Sequence, residues 1–213
     1  MTRTVDFWFD PSCPYTWITS RWLIEVATVR PLALRWQVMS LSVLNEGREV
    51  DPEGDTEGWL WRPVRVCAAV RQRYGQDGLA RFFTAYGLRV HEGGQWCDLG
   101  DALADADLPR DLADAAETSD FDAAVRASHA EAIALVGDHV GTPIIATTDD
   151  TGAKVAFFGP VISRIPHGEA AARLWDGTLL VAATPGFHEL STPPTRYLFD
   201  RPQPGTPRSP GPV

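Results

Sequence analysis

The chain has 213 residues, of which 44 % are apolar and 22 % are charged, a composition typical of a globular protein with one large domain or one domain that carries an insertion. Its formal net charge is −9 and its sequence has no basic run, which argues against nucleic acid or an anionic membrane as a partner because phosphate binding needs clustered Lys and Arg. No stretch approaches the roughly 18 apolar residues of a membrane span, and the first residues lack the apolar core of a secretory signal. We therefore expect a cytoplasmic protein.

The first elements predict a β-α-β unit. Residues 5–9 are short, β-branched and aromatic, and Pro11 stops them, which indicates a strand. Apolar residues then recur every three to four positions over residues 14–29, which indicates an amphipathic helix with Pro14 in its first turn. Alternating apolar residues from Leu32 to Val38 predict a second strand, parallel to the first.

The middle of the chain, residues 56–136, reads as helical. Pro63 is expected to open one helix, Gly87 to end another, and "DLGDALADADL" and "PRDLADAAE" to form two short acidic helices. Ser119 or Asp120 can cap a longer helix that ends at Gly137.

The last part of the chain predicts a hairpin and a helix. "TPIIATT" and "KVAFFG" read as strands joined by the turn "DDTG", and a final helix begins near Pro166. Residues 192–213 are rich in Pro and Gly, so we expect a tail partly laid on the surface and partly disordered. The simplest assembly is a mixed sheet flanked by helices, an α/β fold with a helical insertion.

Cys13, in "FWFDPSCPYTW", is the candidate nucleophile. A cysteine between the end of a strand and the start of a helix lies near unpaired backbone N–H groups and the positive end of the helix dipole, which both favour thiolate. Pro14 stiffens the turn, and Thr16 can offer its hydroxyl to the sulfur. Such thiols can have lowered pKa values and react in thiol exchange; the alternative is a buried structural cysteine.

Three segments carry a resemblance to a known family: "FDPSCPYTW", "VGTPII" and "VAFFGPVISRIPHGEAAARLWD". They resemble the DsbA-type thioredoxin-fold proteins and, within them, the mycothiol-dependent nitroreductase family. The resemblance implies a thioredoxin fold with a mixed central sheet and an all-helical insertion. It places the thioredoxin-like domain at residues 1–50 and 138–191 and the insertion at 51–137. It also implies a nucleophilic Cys13 that faces a cis-proline loop at Thr142 and Pro143.

The chain departs from the usual Cys-Pro-Trp-Cys motif of this family at two positions, Tyr15 and Thr16. Thr16 replaces the second cysteine, so Cys13 cannot close a local disulfide. Thr16 can donate a hydrogen bond to the sulfur but cannot resolve a mixed disulfide. We therefore expect a monothiol site that an external thiol regenerates.

The other two cysteines and one histidine have alternative interpretations. Cys67 fits inert packing in a helix. Cys97 lies in a Gly-rich loop before a helix, where it is either without a role or able to pair with Cys13 after a loop movement. His91 matches a histidine of the family pattern and can stabilise a thiolate or act as acid or base near pH 7; the alternative is a surface histidine at a helix end. The remaining histidines are scattered and suggest no metal.

Tryptophans of the insertion are candidates for a ligand-binding wall. Trp59, Trp61 and Trp96 lie in its less regular part, where aromatic rings facing Cys13 would suit a flat ligand. The resemblance adds a binding position for a thiol cofactor at Thr142 and Pro143. Trp59 and Trp96 are the further candidate contacts for this cofactor.

The favoured function is a thiol-dependent oxidoreductase. Cys13 would use mycothiol or another low-molecular-weight thiol, without metal or nucleotide, to reduce disulfides or electrophilic and nitroaromatic molecules, in a monomer or homodimer. A first alternative is a thiol S-transferase or isomerase of the kappa type, in which the site activates a bound thiol. A second is a degenerate binding module in which Cys13 is a relic.

Overall fold

The structure is a computed structural model that describes residues 2–94 and 96–192. The predicted tail beyond Thr192 therefore lies outside the described residues. The described strands are β1 (Arg3–Phe9), β2 (Leu32–Val38), β3 (Ile144–Thr148) and β4 (Lys154–Phe158). The described helices are α1 (Pro14–Val29), α2 (Leu41–Asn45), α3 (Trp61–Gly87), a π-helical turn (Leu88–Glu92), α4 (Leu99–Asp105), a 3-10 helix (Arg110–Glu117), α5 (Asp122–Val136) and α6 (Gly168–Ala182).

The strands form one mixed sheet in the order β2-β1-β3-β4. β1 pairs in parallel with β2, as a β-α-β unit requires, and β3 runs antiparallel to both β1 and β4. Phe7, at the centre of β1, lies opposite Trp36 on one side and Ile145 on the other. The predicted mixed sheet is confirmed, and β1 lies inside it.

The two faces of β1 enter two apolar clusters, because side chains alternate along a strand. Val5, Phe7 and Phe9 belong to a large cluster that includes residues of α1, α3 and α6. Trp8 points the other way, into a smaller cluster with Ala132 of α5. The ring of Phe9 stacks on Phe83 of α3 at 4.0 Å between centroids. The large apolar cluster thus contains residues of both the proposed thioredoxin-like part and the proposed insertion, and the division between them stays a prediction.

Helix α3 corrects one predicted boundary and confirms another. It begins at Trp61, so Pro63 is its third residue, and it runs through Gly75, whose φ of 66° interrupts the helical backbone. The predicted end at Gly87 is confirmed, and the chain continues directly from it into the π-helical turn. A Cβ at Gly87 would overlap the ring of Trp17, so this glycine permits the close approach of α1 and α3.

Helix α5 corrects a predicted cap. It begins at Asp122 with Phe121 in the N-cap position, and its first amide bonds to the backbone carbonyl of Ser119. Neither Ser119 nor Asp120 occupies the cap, so that prediction is wrong. The predicted end at Gly137 is confirmed, with a φ of 91° that glycine adopts readily.

Candidate active site

Cys13 occupies the junction between β1 and α1. β1 ends at Phe9, the amide of Cys13 bonds to the carbonyl of Asp10 at 3.2 Å, and Cys13 is the N-cap of α1. Pro14 follows as the first helical residue, where its missing N–H costs nothing. The cysteine is only 8 % exposed, so the first turn of α1 and the neighbouring loops enclose it.

The loop before β3 lies against this cysteine. The peptide bond between Thr142 and Pro143 is cis, the geometry that the resemblance implies. The Sγ of Cys13 lies 3.8 Å from the carbonyl oxygen of Thr142, to which its S–H can donate. The hydroxyls of Thr16 and Thr142 are 3.0 Å apart, and both side chains are buried. The structure thus brings together Cys13, Thr16, Thr142 and Pro143, four of the predicted site residues.

The hydroxyl of Thr142 has an acceptor on β1. It donates to the carbonyl of Trp8 at 3.4 Å, and this leaves its oxygen free to accept. With that arrangement, the Thr16 hydroxyl donates its one hydrogen to Thr142 while Cys13 is a thiol. The same hydrogen can instead turn to a Cys13 thiolate.

Burial raises the pKa of the Cys13 thiol above its ordinary value. The Thr16 hydroxyl and the amides of Thr16 and Tyr15 act in the opposite direction, and the charge of Asp10 adds to the increase. The helix amides therefore favour thiolate as expected, but desolvation outweighs them. The expectation of a lowered pKa is wrong for the free protein, in which Cys13 is a thiol at neutral pH.

His91 reaches the site through the backbone. Its Nε2–H donates to the carbonyl of Pro11 at 2.8 Å, two residues before Cys13, and its ring stacks on Trp17 at 5.9 Å. Burial lowers the pKa of His91, which favours the neutral ring. The alternative of a surface histidine is wrong. An action of His91 on the sulfur itself stays a prediction.

The remaining candidate residues lie in different environments. Trp59 is 57 % exposed, with the Arg62 guanidinium 5.0 Å from its ring, and Trp96 is 67 % exposed. Their contact with a ligand stays a prediction. Cys67 is buried, and burial raises its pKa well above the ordinary value, as inert packing requires. Cys97 is partly exposed in the loop before α4.

Sequence reasoning missed Asp10. Its carboxylate is fully buried and accepts two backbone amides at 2.8 Å, that of Ser12 in its own loop and that of Leu41 at the start of α2. Burial raises the pKa of Asp10 to about 7. An Asp at a chain reversal often bonds the amide two residues on, and "FDPSC" contains that signal. The contact with Leu41, 31 positions away, has no local signature.

The described residues contain neither a metal-binding cluster nor a membrane-spanning helix. Within residues 2–94 and 96–192, no group of three or more His, Cys, Asp or Glu side chains is placed to hold a metal ion. Over the same ranges, no helix combines the length and apolarity that crossing a membrane requires.

A mixed sheet with a cysteine at the N-terminus of α1, opposite a cis-proline, defines a thioredoxin-fold thiol protein. Two solved structures share this fold. One is a probable DsbA oxidoreductase of Streptomyces coelicolor, with a TM-score of 0.54 and 15 % identity over 86 % of this chain and 92 % of that one. The other is a putative protein disulfide isomerase of Nitrosomonas europaea, with a TM-score of 0.53 and 14 % identity over 84 % and 98 %. At such identities the similarity shows the fold alone.

Sequence comparisons show the family to which this chain belongs. The model of the Rv2466c-like family, described as mycothiol-dependent nitroreductase Rv2466c, matches residues 12–192, and the chain belongs to this family. An uncharacterized protein of Mycobacterium tuberculosis, Rv2286c, is 32 % identical over 199 residues, which are 89 % of this chain and 82 % of that protein. The resemblance and the fold class inferred from the sequence are confirmed. The chain is thereby an enzyme of the thiol-dependent oxidoreductase class.

Proposed function

We propose that the enzyme is a monothiol oxidoreductase in which Cys13 exchanges with mycothiol or a similar low-molecular-weight thiol. The observation that carries the proposal is the position of the Cys13 sulfur, at the N-terminus of α1 and 3.8 Å from the Thr142 carbonyl. Thr16 stands where a second cysteine would close a disulfide, so no partner thiol is present within the motif. The family supports mycothiol as the thiol.

The Thr142 backbone is the proposed binding position for an amide of the thiol cofactor. In the free protein its carbonyl lies within reach of the Cys13 S–H. A bound ligand that donates to this carbonyl would release the thiol. The Thr16 hydroxyl would then turn to the sulfur and stabilise the thiolate, since hydrogen bonding to the charged form favours that form.

The proposed reduction of a disulfide takes three successive thiol–disulfide exchanges. The Cys13 thiolate attacks one sulfur of a substrate disulfide, the S–S bond breaks, and the leaving thiolate takes a proton. A first cofactor thiol attacks the Cys13 sulfur of the mixed disulfide and releases the second substrate thiol. A second cofactor thiol then regenerates Cys13 and leaves as the oxidised cofactor disulfide. Two cofactor thiols are oxidised for each substrate disulfide reduced, without metal or nucleotide.

Reduction of an electrophilic substrate such as a nitroaromatic compound can use the same two electrons from two cofactor thiols. Reduction of a nitro group to a nitroso group takes two electrons and two protons, releases water, and converts two thiols into one disulfide. Trp59 and Trp96 are the proposed aromatic contacts for such a ring. Reducing conditions in the cytoplasm, the proposed location, would keep Cys13 available; a monomer or a homodimer can carry out this chemistry.

The direct test is transfer of a cofactor thiol to Cys13. The reduced protein is incubated with mycothiol disulfide and digested without reductant, and the peptides are weighed. We expect one mycothiol on the Cys13 peptide, with Cys97→Ser as a matched control that keeps the adduct and Cys13→Ser as a variant that loses it. An unmodified Cys13, with intact mycothiol disulfide, would contradict the proposal.

A kappa-type S-transferase or isomerase is the second candidate. The pair of buried hydroxyls, Thr16 and Thr142, favours it, because two hydroxyls could stabilise the thiolate of a bound cofactor while Cys13 stays protonated. Conjugation of mycothiol to an electrophile that survives in Cys13→Ser would support this reaction. Inertness in both assays would support the degenerate binding module.

A further inference from the structure

Asp10 joins three parts of the site. Its side chain accepts the amide of Ser12, next to Cys13, and the amide of Leu41, at the start of α2. Its own amide lies 3.4 Å from the hydroxyl of Thr142, to which it donates. The cysteine loop, α2 and the cis-proline loop are therefore all fixed to one buried residue. The proposed thiol exchange assigns no role to Asp10.

The titratable groups that face Asp10 come from three elements. They are Cys13 of its own loop, Glu53 of the segment between α2 and α3, and Cys67 and Tyr86 of α3. Each of these groups is neutral or negative. Glu53 raises the pKa of Asp10, and Asp10 in turn raises the pKa of Cys13. Two negative charges at this depth repel each other strongly because little solvent screens them.

We propose that Asp10 is a positioning residue for Cys13: its carboxylate fixes the cysteine loop through two backbone amides, and its negative charge opposes ionisation of the sulfur. Asp10 and Cys13 together then carry one negative charge more readily than two. A thiolate beside a neutral Asp10 and a thiol beside a charged Asp10 differ only in where one proton lies. This inference deepens the proposed function, because it assumes that the reactivity of Cys13 matters.

The coupling predicts a two-part pH profile for alkylation of Cys13 in the unaltered protein. Below pH 7, Asp10 is neutral, and the thiolate fraction rises tenfold per pH unit. Above pH 7, Asp10 becomes charged, so removing a proton from Cys13 becomes harder and the rate rises less steeply, until Cys13 ionises beside the charged carboxylate. The measurement uses iodoacetamide, with the modified Cys13 peptide quantified by mass spectrometry so that Cys67 and Cys97 do not interfere.

Asp10→Asn removes the charge and retains one acceptor oxygen. We expect its profile to rise with a single slope and the pKa of Cys13 to fall, because no carboxylate charge then opposes ionisation of the sulfur. Alkylation at pH 8.5, where Asp10 of the unaltered protein is charged, should become roughly three times faster, because the gain in thiolate exceeds the loss of nucleophilicity of a weaker base; at pH 7, where about half of Asp10 is neutral, the gain should be smaller. If Asp10 had a purely structural role, its replacement would not shift the pKa of Cys13 obtained from this profile.

Two results would overturn the inference. One is an alkylation profile of the unaltered protein that rises with a single slope through pH 7. This test uses no variant, so it can be made even if Asp10→Asn does not fold. The other is a folded Asp10→Asn, judged by circular dichroism, whose Cys13 profile matches that of the unaltered protein. Transfer of mycothiol to Cys13 tests the proposed function separately. An adduct without the two-part profile removes only the role of Asp10, and the profile without an adduct removes only the proposed function.

Discussion

The reactivity of Cys13 depends on single hydrogen bonds, because burial already opposes its ionisation. The Thr16 hydroxyl and the first amides of α1 stabilise the thiolate, whereas the Asp10 charge and the enclosed setting destabilise it. In the proposed thiol exchange, binding of the ligand would complete the activation of this buried sulfur. The same residues explain why the local motif alone suggested a more acidic thiol than the structure supports.

Restoring the second cysteine tests the geometry of the motif. Thr16 lies one helical turn after Cys13, on the side that meets Thr142. In Thr16→Cys we expect an intramolecular disulfide after mild oxidation, seen as the loss of two free thiols per chain. Thr16→Ser is the control and should keep all its thiols. Unchanged thiol counts in Thr16→Cys would show that the two positions do not face each other.

The residues of the site were predictable to different degrees. Cys13 and Thr16 are three positions apart, so the helix period places both on the same turn without further information. Thr142 and Pro143 are about 130 positions further along the chain, and only the family resemblance connected them to Cys13. The role of Asp10 could not be predicted from local sequence, because its contact with Leu41 exists only after β1 and β2 have paired.

At the scale of elements, the π-helical turn supports the cysteine loop through one hydrogen bond. The neutral ring of His91 donates to the carbonyl of Pro11. Burial lowers the pKa of His91 in the folded state, so the unfolded chain takes up a proton at a higher pH than the folded one. The stability that His91 contributes is thus fully present above its unfolded pKa of about 6.5 and is lost as the pH falls from that value through the lower pKa of the folded state.

His91→Gln isolates this contribution. A glutamine amide can still donate to Pro11 but does not titrate. We expect the free energy of unfolding, measured in urea at pH 5, 6 and 7.5, to fall more steeply on acidification in the unaltered protein than in the variant. His129 and Asp10 also titrate, but they are unchanged in both proteins and cancel in the difference. A difference that stays constant with pH would contradict the buried, neutral His91.

Gly87 tests the contact between α1 and α3. A methyl group there would overlap the Trp17 ring, so Gly87→Ala should destabilise the protein by about 1–3 kcal/mol, as overpacking does. The matched control is Gly177→Ala in α6, where a Cβ meets nothing within 4 Å and a gain of about 0.4–1 kcal/mol is expected. Thermal melts of both variants would measure this, and similar effects at the two sites would contradict the close approach.

Short-range patterns predicted the strands, α1 and the β3–β4 hairpin because these elements follow local periodicity and turn chemistry. The packing role of Gly87 was missed for a different reason. A glycine that ends a helix and a glycine that admits a neighbouring indole look the same in sequence. The distinction at Gly87 depends on Trp17, which is 70 positions earlier in the chain.

At the scale of the whole molecule, the proposed insertion and the sheet share one apolar core. Phe83 of α3 stacks on Phe9 of β1 and packs edge-on against Trp17 of α1 and Trp36 of β2. No separate apolar cluster among the described residues belongs to the insertion alone. The proposed boundaries near residues 50 and 138 therefore should not mark separate folding units.

Phe83→Ala tests this view. We expect a loss of about 3–5 kcal/mol, typical of a deleted core aromatic, with helix content and tryptophan fluorescence lost in one coincident urea transition. Tyr74→Ala, at a partly exposed position of the same helix, should change stability much less. Two separate transitions in either protein would show that the insertion unfolds independently.

The hydroxyl pair of Thr16 and Thr142 has a consequence for how the enzyme adapts. A hydroxyl rotates about one bond, so the site can exchange one hydrogen-bond arrangement for another while strands and helices stay in place. A catalytic cycle that alternates between neutral and anionic sulfur then needs no hinge. Crystals of the reduced enzyme and of its mixed disulfide should superpose closely in their backbones, with the heavy-atom change confined to the Cys13 side chain and the thiol attached to it.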